Sequence, residues 1–191
     1  DGYINITEND GDNWRQIKVS QLPNVPSTAF VNDIKADLHD ANVVYVALDN
    51  HKYGDFKPYL LKSTNKGKSW KSLSGNIPDN HLVWRLVQDH MAPNLLFIGT
   101  EFGLFFSVNH GETWTALKGN VPTISFRDLA IQKRENDLVA ASFGRGFYIL
   151  DDFSALRQVT ESDLNSEAKL FPIRDAWWYI EQSHLSFEKD K

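Results

Sequence analysis

The 191-residue chain contains no cysteine and a single methionine. Without thiols it can hold neither a disulfide framework nor a thiolate-ligated metal. It also lacks basic excess: 20 Lys and Arg stand against 25 Asp and Glu, for a formal net charge of −5. A nucleic-acid surface needs clustered cations to displace phosphate counterions, so that class of partner is set aside. No apolar run approaches the roughly 20 residues that span a bilayer, and no charged-then-apolar leader opens the chain. Membrane insertion is therefore not expected. The six histidines show no metal-ligand spacing, and there is no Gly-rich phosphate loop, since Ser142-Phe143-Gly144-Arg145-Gly146 also lacks the Gly-x-Ser-x-Gly order of a nucleophile elbow. Neither a metal nor a cofactor is predicted.

What is present is aromatic and repetitive. Aromatics make up 13% of the chain, with 12 Phe and 6 Trp, residues that favour strands. An octet recurs three times: Thr7 to Trp14, Ser63 to Trp70, and Ser107 to Trp114. Each reads hydroxyl, any, Asn, any, Gly, any, small polar, Trp, preceded by an apolar run and followed by another short β-like segment. That pattern predicts strand, tight turn, strand. The octet glycines Gly11, Gly67 and Gly111 are spaced near the ~40 to 50 residues of a propeller blade. The first interval is longer because of an insertion over 50–58. Linkers echo one another too, as in Ser74-Gly75-Asn76-Ile77-Pro78 and Lys118-Gly119-Asn120-Val121-Pro122.

The expected fold is all-β, a partial β-propeller of four-stranded antiparallel blades lettered A to D from the inside out. A half blade covers 2–19, and blades cover about 30–74, 80–118 and 123–160. In the second unit the predicted strands are 30–36, 43–48, 59–62 and 70–73; in the third, 83–88, 95–100, 104–108 and 114–117. The fourth gives 126–132, 137–142, 146–150 and a weaker outer strand over 156–159. A C-terminal extension, 161–191, is expected to carry one strand within 170–180. Because the chain opens inside a repeat, it reads as a piece of a longer polypeptide.

The octets resemble Asp-box repeats, also called bacterial neuraminidase repeats, of sialidase-like and sortilin-like propellers. Phe97-Ile98-Gly99-Thr100-Glu101-Phe102-Gly103-Leu104 and Gly144-Arg145-Gly146-Phe147-Tyr148-Ile149-Leu150-Asp151-Asp152 are similar to bacterial sortilin-like, glycosyl-hydrolase-labelled propeller proteins. The resemblance implies an exported protein, extracellular, periplasmic or cell-surface. It departs from the family at the third octet position, where Asp is usual and Asn9, Asn65 and Asn109 stand. Physically the octet is a turn: Gly supplies a positive φ, and Thr7, Ser63, Ser107 and the three Asn satisfy backbone groups. Trp14, Trp70 and Trp114 are expected to cover apolar surface between blades.

In a propeller the A-to-B and C-to-D turns share one face, and the B-to-C and D-to-A connections share the other, at the channel mouth. Function is expected on the second face. Binding candidates there are Tyr53, Asp55, Trp84, Arg85, Arg127 and Arg145. Asp33, Glu101 and Asp128, with Asp55, are the carboxylates from which a glycosidase pair could be assembled, the two acids standing about 5 to 10 Å apart. Three readings remain open at this stage: a module binding protein, peptide or glycan, a glycoside hydrolase, and a structural scaffold. Exposed edges of a part-ring predict partners, either further blades of the parent chain or a second copy.

Overall fold

The computed structural model describes residues 2–172, 174, 175 and 178. Among these residues thirteen strands form four antiparallel sheets. β1 (Tyr3–Ile6) pairs with β2 (Arg15–Lys18). β3 (Phe30–Ala36), β4 (Val44–Asn50), β5 (Asp55–Ser63) and β6 (Lys71–Ser72) follow in order, as do β7 (Val83–Gln88), β8 (Leu96–Thr100), β9 (Gly103–Ser107) and β10 (Thr115–Ala116). The last sheet has three strands, β11 (Phe126–Gln132), β12 (Asp137–Ser142) and β13 (Phe147–Leu150). Each sheet is a meander with nearest-neighbour pairing, so the chain is a partial β-propeller.

Period-2 alternation sends successive side chains to opposite faces of each sheet, and three apolar layers result. Tyr45 and Ala47 of β4 join Leu96 and Ile98 of β8 in one layer, while Val46 and Leu48 face Ile4 and Ile17 in another. Leu95 and Phe97 turn the other way, towards Phe126, Leu138 and Phe153. Layers this tight leave no slack at Gly99, where an added Cβ would stand 2.7 Å from the Phe126 carbonyl oxygen. Gly99→Ala is expected to cost about 1–3 kcal/mol through overpacking. Gly75→Ala, with nothing within 4 Å, should be near neutral. Paired urea melts check this; equal stabilities would contradict so close an approach.

All three octets close with one hydrogen-bond set. The hydroxyl accepts from the glycine N–H, at 2.9 Å for Thr7 and Gly11, 2.8 Å for Ser63 and Gly67, and 2.8 Å for Ser107 and Gly111. Each Asn side-chain oxygen accepts from the backbone N–H four residues on, at Asn13, Ser69 and Thr113. The residue before each glycine is also left-handed, with φ of 53° at Asp10, 56° at Lys66 and 59° at His110. Two consecutive positive φ values make the tight reversal that only one glycine advertises in the sequence.

The outer strand expected over 156–159 is not formed; a 3₁₀ helix spans Phe153–Gln158 instead. Asp152, at φ 46°, turns the chain and accepts from the Ser154 N–H, and Arg157 then reaches inward. The insertion over 50–58 is largely ordered β-hairpin: β4 runs to Asn50, β5 starts at Asp55, and a 3₁₀ turn over His51–Tyr53 with left-handed Gly54 joins them. The strand expected within 170–180 lies partly outside the described residues, at 173, 176–177 and 179–180; the described residues of that span, 170–172, 174, 175 and 178, carry no strand. Among the described residues no helix is long and apolar enough to cross a membrane.

Candidate functional site at the B-to-C face

Backbone bonds between turns fix the two faces. A-to-B and C-to-D turns are tied together by Lys66 N–H to Asn42 O at 2.8 Å, His110 N–H to Asn94 O at 3.0 Å and Phe153 N–H to Asn136 O at 2.8 Å. On the opposite face, B-to-C loops meet D-to-A linkers, through Glu101 N–H to Leu82 O at 3.0 Å and Phe143 N–H to Ser125 O at 2.8 Å. Binding and catalytic candidates therefore sit away from the octets.

Each innermost strand carries a register shift near its start, between Val31 and Asp33, Val83 and Arg85, and Phe126 and Asp128. A β-bulge re-aims the side chains beside it. Two groups of residues follow from these bulges. In the first, Asp33, buried, takes Arg85 Nη1 at 3.0 Å on one oxygen and the Leu86 N–H at 3.0 Å on the other. Arg85 Nε lies 2.8 Å from Asp128 Oδ1, an ion contact off hydrogen-bond geometry. One guanidinium thus bridges Asp33 and Asp128 across three blades. Burial opposes the Arg85 charge, but both carboxylates outweigh it and raise its pKa.

The second group is a pocket of about 240 Å³ between the loops. Trp84 Nε1 donates to Glu101 Oε2 at 2.8 Å, Ser125 Oγ donates to the same oxygen at 3.0 Å, and Arg127 Nη2 at 3.3 Å. Arg127 Nε donates to Ser125 Oγ at 2.7 Å, and its guanidinium carbon lies 3.6 Å from the Trp84 ring centre. Each of these four side chains is held by another. His51 packs edge-on against the Trp84 indole, with ring centres 5.8 Å apart, and its Nδ1 is held by buried Asp49. That leaves Nε2 as the polar atom His51 can offer to the pocket it lines with Phe56 and Phe102.

Of the residues singled out from sequence, Trp84, Glu101 and Arg127 meet in this pocket, and Asp33, Arg85 and Asp128 form the neighbouring ion-paired ladder. Asp55 joins neither: Tyr59 Oη donates to it at 2.5 Å and the Lys57 N–H at 3.2 Å. Burial raises the Asp55 pKa, but those bonds outweigh burial and leave it below the usual carboxylate range. Tyr53 and Arg145 are exposed on the loops. Ser125, Phe56 and Asn80 belong to the site through linkers and the insertion, where no motif marks them.

The three candidate carboxylates are each engaged by an arginine. Asp33 is buried with both oxygens occupied, and the exposed Asp128 shares the same arginine. What the face does offer is one exposed aromatic or more per loop: Tyr53 and Phe56, then Phe102, then Phe143.

No protein-family model matches the chain, and neither does any curated protein. Solved structures do match. An ancestral GH74 enzyme is 31% identical over 60% of this chain, with a TM-score of 0.50, and YCF48 bound to D1 peptide is 15% identical over 79%, with a TM-score of 0.54. This chain spans 14% of the length of the first and 45% of the second. The second likeness shows the propeller fold alone.

Proposed function

We propose that this chain is a non-catalytic glycan-binding segment of an exported bacterial propeller protein, with the octets acting as Asp-box turns and the ligand held on the B-to-C face. The observation that carries the reading is the pocket built on Trp84, Glu101 and Arg127, rimmed by exposed Phe102 and Phe56. Sugars present hydroxyls that need both donors and acceptors, and apolar ring faces that need flat partners. Glu101 and the His51 Nε2 supply acceptors, Arg127 supplies donors, and the loop aromatics supply the platforms. Trp84 itself is covered by Arg127, so stacking falls to Phe102, Phe56 and Phe143. The 31% identity to part of an ancestral GH74 enzyme favours a glycan over a peptide. A hydrolase reading is weaker, because the carboxylates are spent on arginines.

Titration of the chain with soluble cell-wall oligosaccharides, xyloglucan fragments among them, is expected to give a saturable change in tryptophan fluorescence. Phe102→Ala should weaken binding at least about tenfold, roughly 1.4 kcal/mol. Glu101→Ala should weaken it further, since it also frees Trp84, Ser125 and Arg127. If a peptide pool shifts the fluorescence and no oligosaccharide does, the glycan reading fails. Release of reducing sugar would overturn the non-catalytic part.

A further inference from the structure

The pocket beside Trp84 has apolar walls and few polar atoms left to offer. Its walls are buried Leu82, the Trp84 indole and the exposed rings of Phe56 and Phe102, the last met edge-on by His81 at 5.6 Å. Much of its hydrogen-bonding capacity is already used. Trp84, Ser125 and Arg127 all donate to Glu101 Oε2, and Arg127 Nε donates to Ser125. Among the described residues, Glu101 Oε1 accepts no hydrogen bond and Arg127 Nη1 donates none. With Nδ1 of His51 held by the buried Asp49 carboxylate, the proton of the neutral ring sits there and Nε2 is an acceptor. This acceptor and the Arg127 donor come from opposite neighbours of Trp84: His51 from the turn joining β4 to β5, Arg127 from β11, while Trp84 stands on β7 of the sheet between.

A sugar edge made of hydroxyls alone would set several donors and acceptors against Leu82 and the Phe rings without partners, which is costly. An acetamido group carries one donor, one acceptor pointing the other way, and a methyl. That is the inventory of this pocket. We propose that the sugar held here is a 2-acetamido sugar, an inference that rests on the glycan reading of the same pocket. The acetamido N–H donates to His51 Nε2, its carbonyl accepts from Arg127 Nη1, and its methyl lies against Leu82 and Phe102. A neighbouring hydroxyl donates to Glu101 Oε1. At about 240 Å³ the pocket takes one sugar residue, being smaller than the ~300–1,000 Å³ of sites for drug-sized ligands.

The β-1,4-linked trimers of N-acetylglucosamine and of glucose differ in the 2-substituent alone, and tryptophan-fluorescence titration of the chain with each compares them. The acetamido trimer is expected to bind at least about tenfold more tightly, and His51→Ala to bring the ratio of the two dissociation constants within about threefold. The wild-type ratio decides the matter even where the variant fails to fold. Equal affinities, tighter binding of the glucose trimer, or an unchanged ratio in folded His51→Ala overturns the acetamido assignment and leaves the glycan reading standing. So does binding of other oligosaccharides but of neither trimer. Free N-acetyllysine competing as well as the acetamido trimer overturns the sugar as the source of the group. If no oligosaccharide of any kind binds, the glycan reading falls together with this inference.

Discussion

Trp114→Ala is expected to lower unfolding free energy by about 3–5 kcal/mol, the range for removing a buried large aromatic, whereas Trp14→Ala should stay within about 0.5 kcal/mol. The two residues hold the same place in the same octet, so local chemistry cannot separate them. Neighbourhood does. Trp114 is 4% exposed and wedged between two sheets, where its Nε1 donates to the Leu73 carbonyl at 2.9 Å. Asn76, from the linker leaving the preceding sheet, accepts from the Trp114 N–H at 2.9 Å and donates to its carbonyl at 2.8 Å. Alanine there leaves a cavity against Leu73 and Gly111 and strips the Leu73 carbonyl of its donor. Trp14 is 61% exposed, with no sheet in front of it among the described residues. Urea melts of the two variants decide the matter. Similar losses would mean that the octet tryptophan stabilises its own turn rather than the joint between sheets.

That contrast also explains how far the sequence could be read. Turn chemistry is local: a hydroxyl, an Asn and a Gly within five residues determine the reversal, so three octets disclosed strand order and which face is which. Innermost strands were legible for a similar reason, and β3, β7 and β11 match the expected 30–36, 83–88 and 126–132. The outer strand over 156–159 misled because Leu156 and Val159 are β-compatible, while what shapes the segment is Asp152 and a distant carboxylate. The site was half legible. Loop and strand positions pointed to Trp84, Glu101 and Arg127 as residues of one face. Nothing local could say that Arg85 reaches Asp33, 52 residues away, and holds it in an ion pair. Side-chain partnerships between sheets depend on bulge register, and a bulge leaves no fixed residue signature.

The distant carboxylate is Asp89, and its removal is expected to be the other large effect. Asp89 is fully buried and receives Arg157 in bidentate fashion, Nε to Oδ2 at 2.7 Å and Nη2 to Oδ1 at 2.9 Å. The Ala92 N–H adds a bond at 2.9 Å, and Arg157 Nη2 also reaches Asn136 at 2.7 Å. Breaking a buried pair strands the surviving charge, so Asp89→Ala and Arg157→Ala should each cost about 3–5 kcal/mol. Replacing both by leucine should cost far less than the sum, because no unpaired charge remains. The pair also sets a pH dependence. Burial pushes the Asp89 pKa up, but Arg157 and the backbone N–H groups outweigh it, and the folded value lies below the ordinary 3.8. A carboxyl depressed on folding stabilises the protein fully above its unfolded pKa, and that stabilisation is lost as pH falls through the folded value. Acid titration of wild type should thus show stability declining below about pH 4, with a shallower decline in the double leucine variant. Equal acid sensitivity in the two proteins would show that the C-terminal 3₁₀ helix is held by its apolar contacts, Phe153 against Phe97, and not by the ion pair.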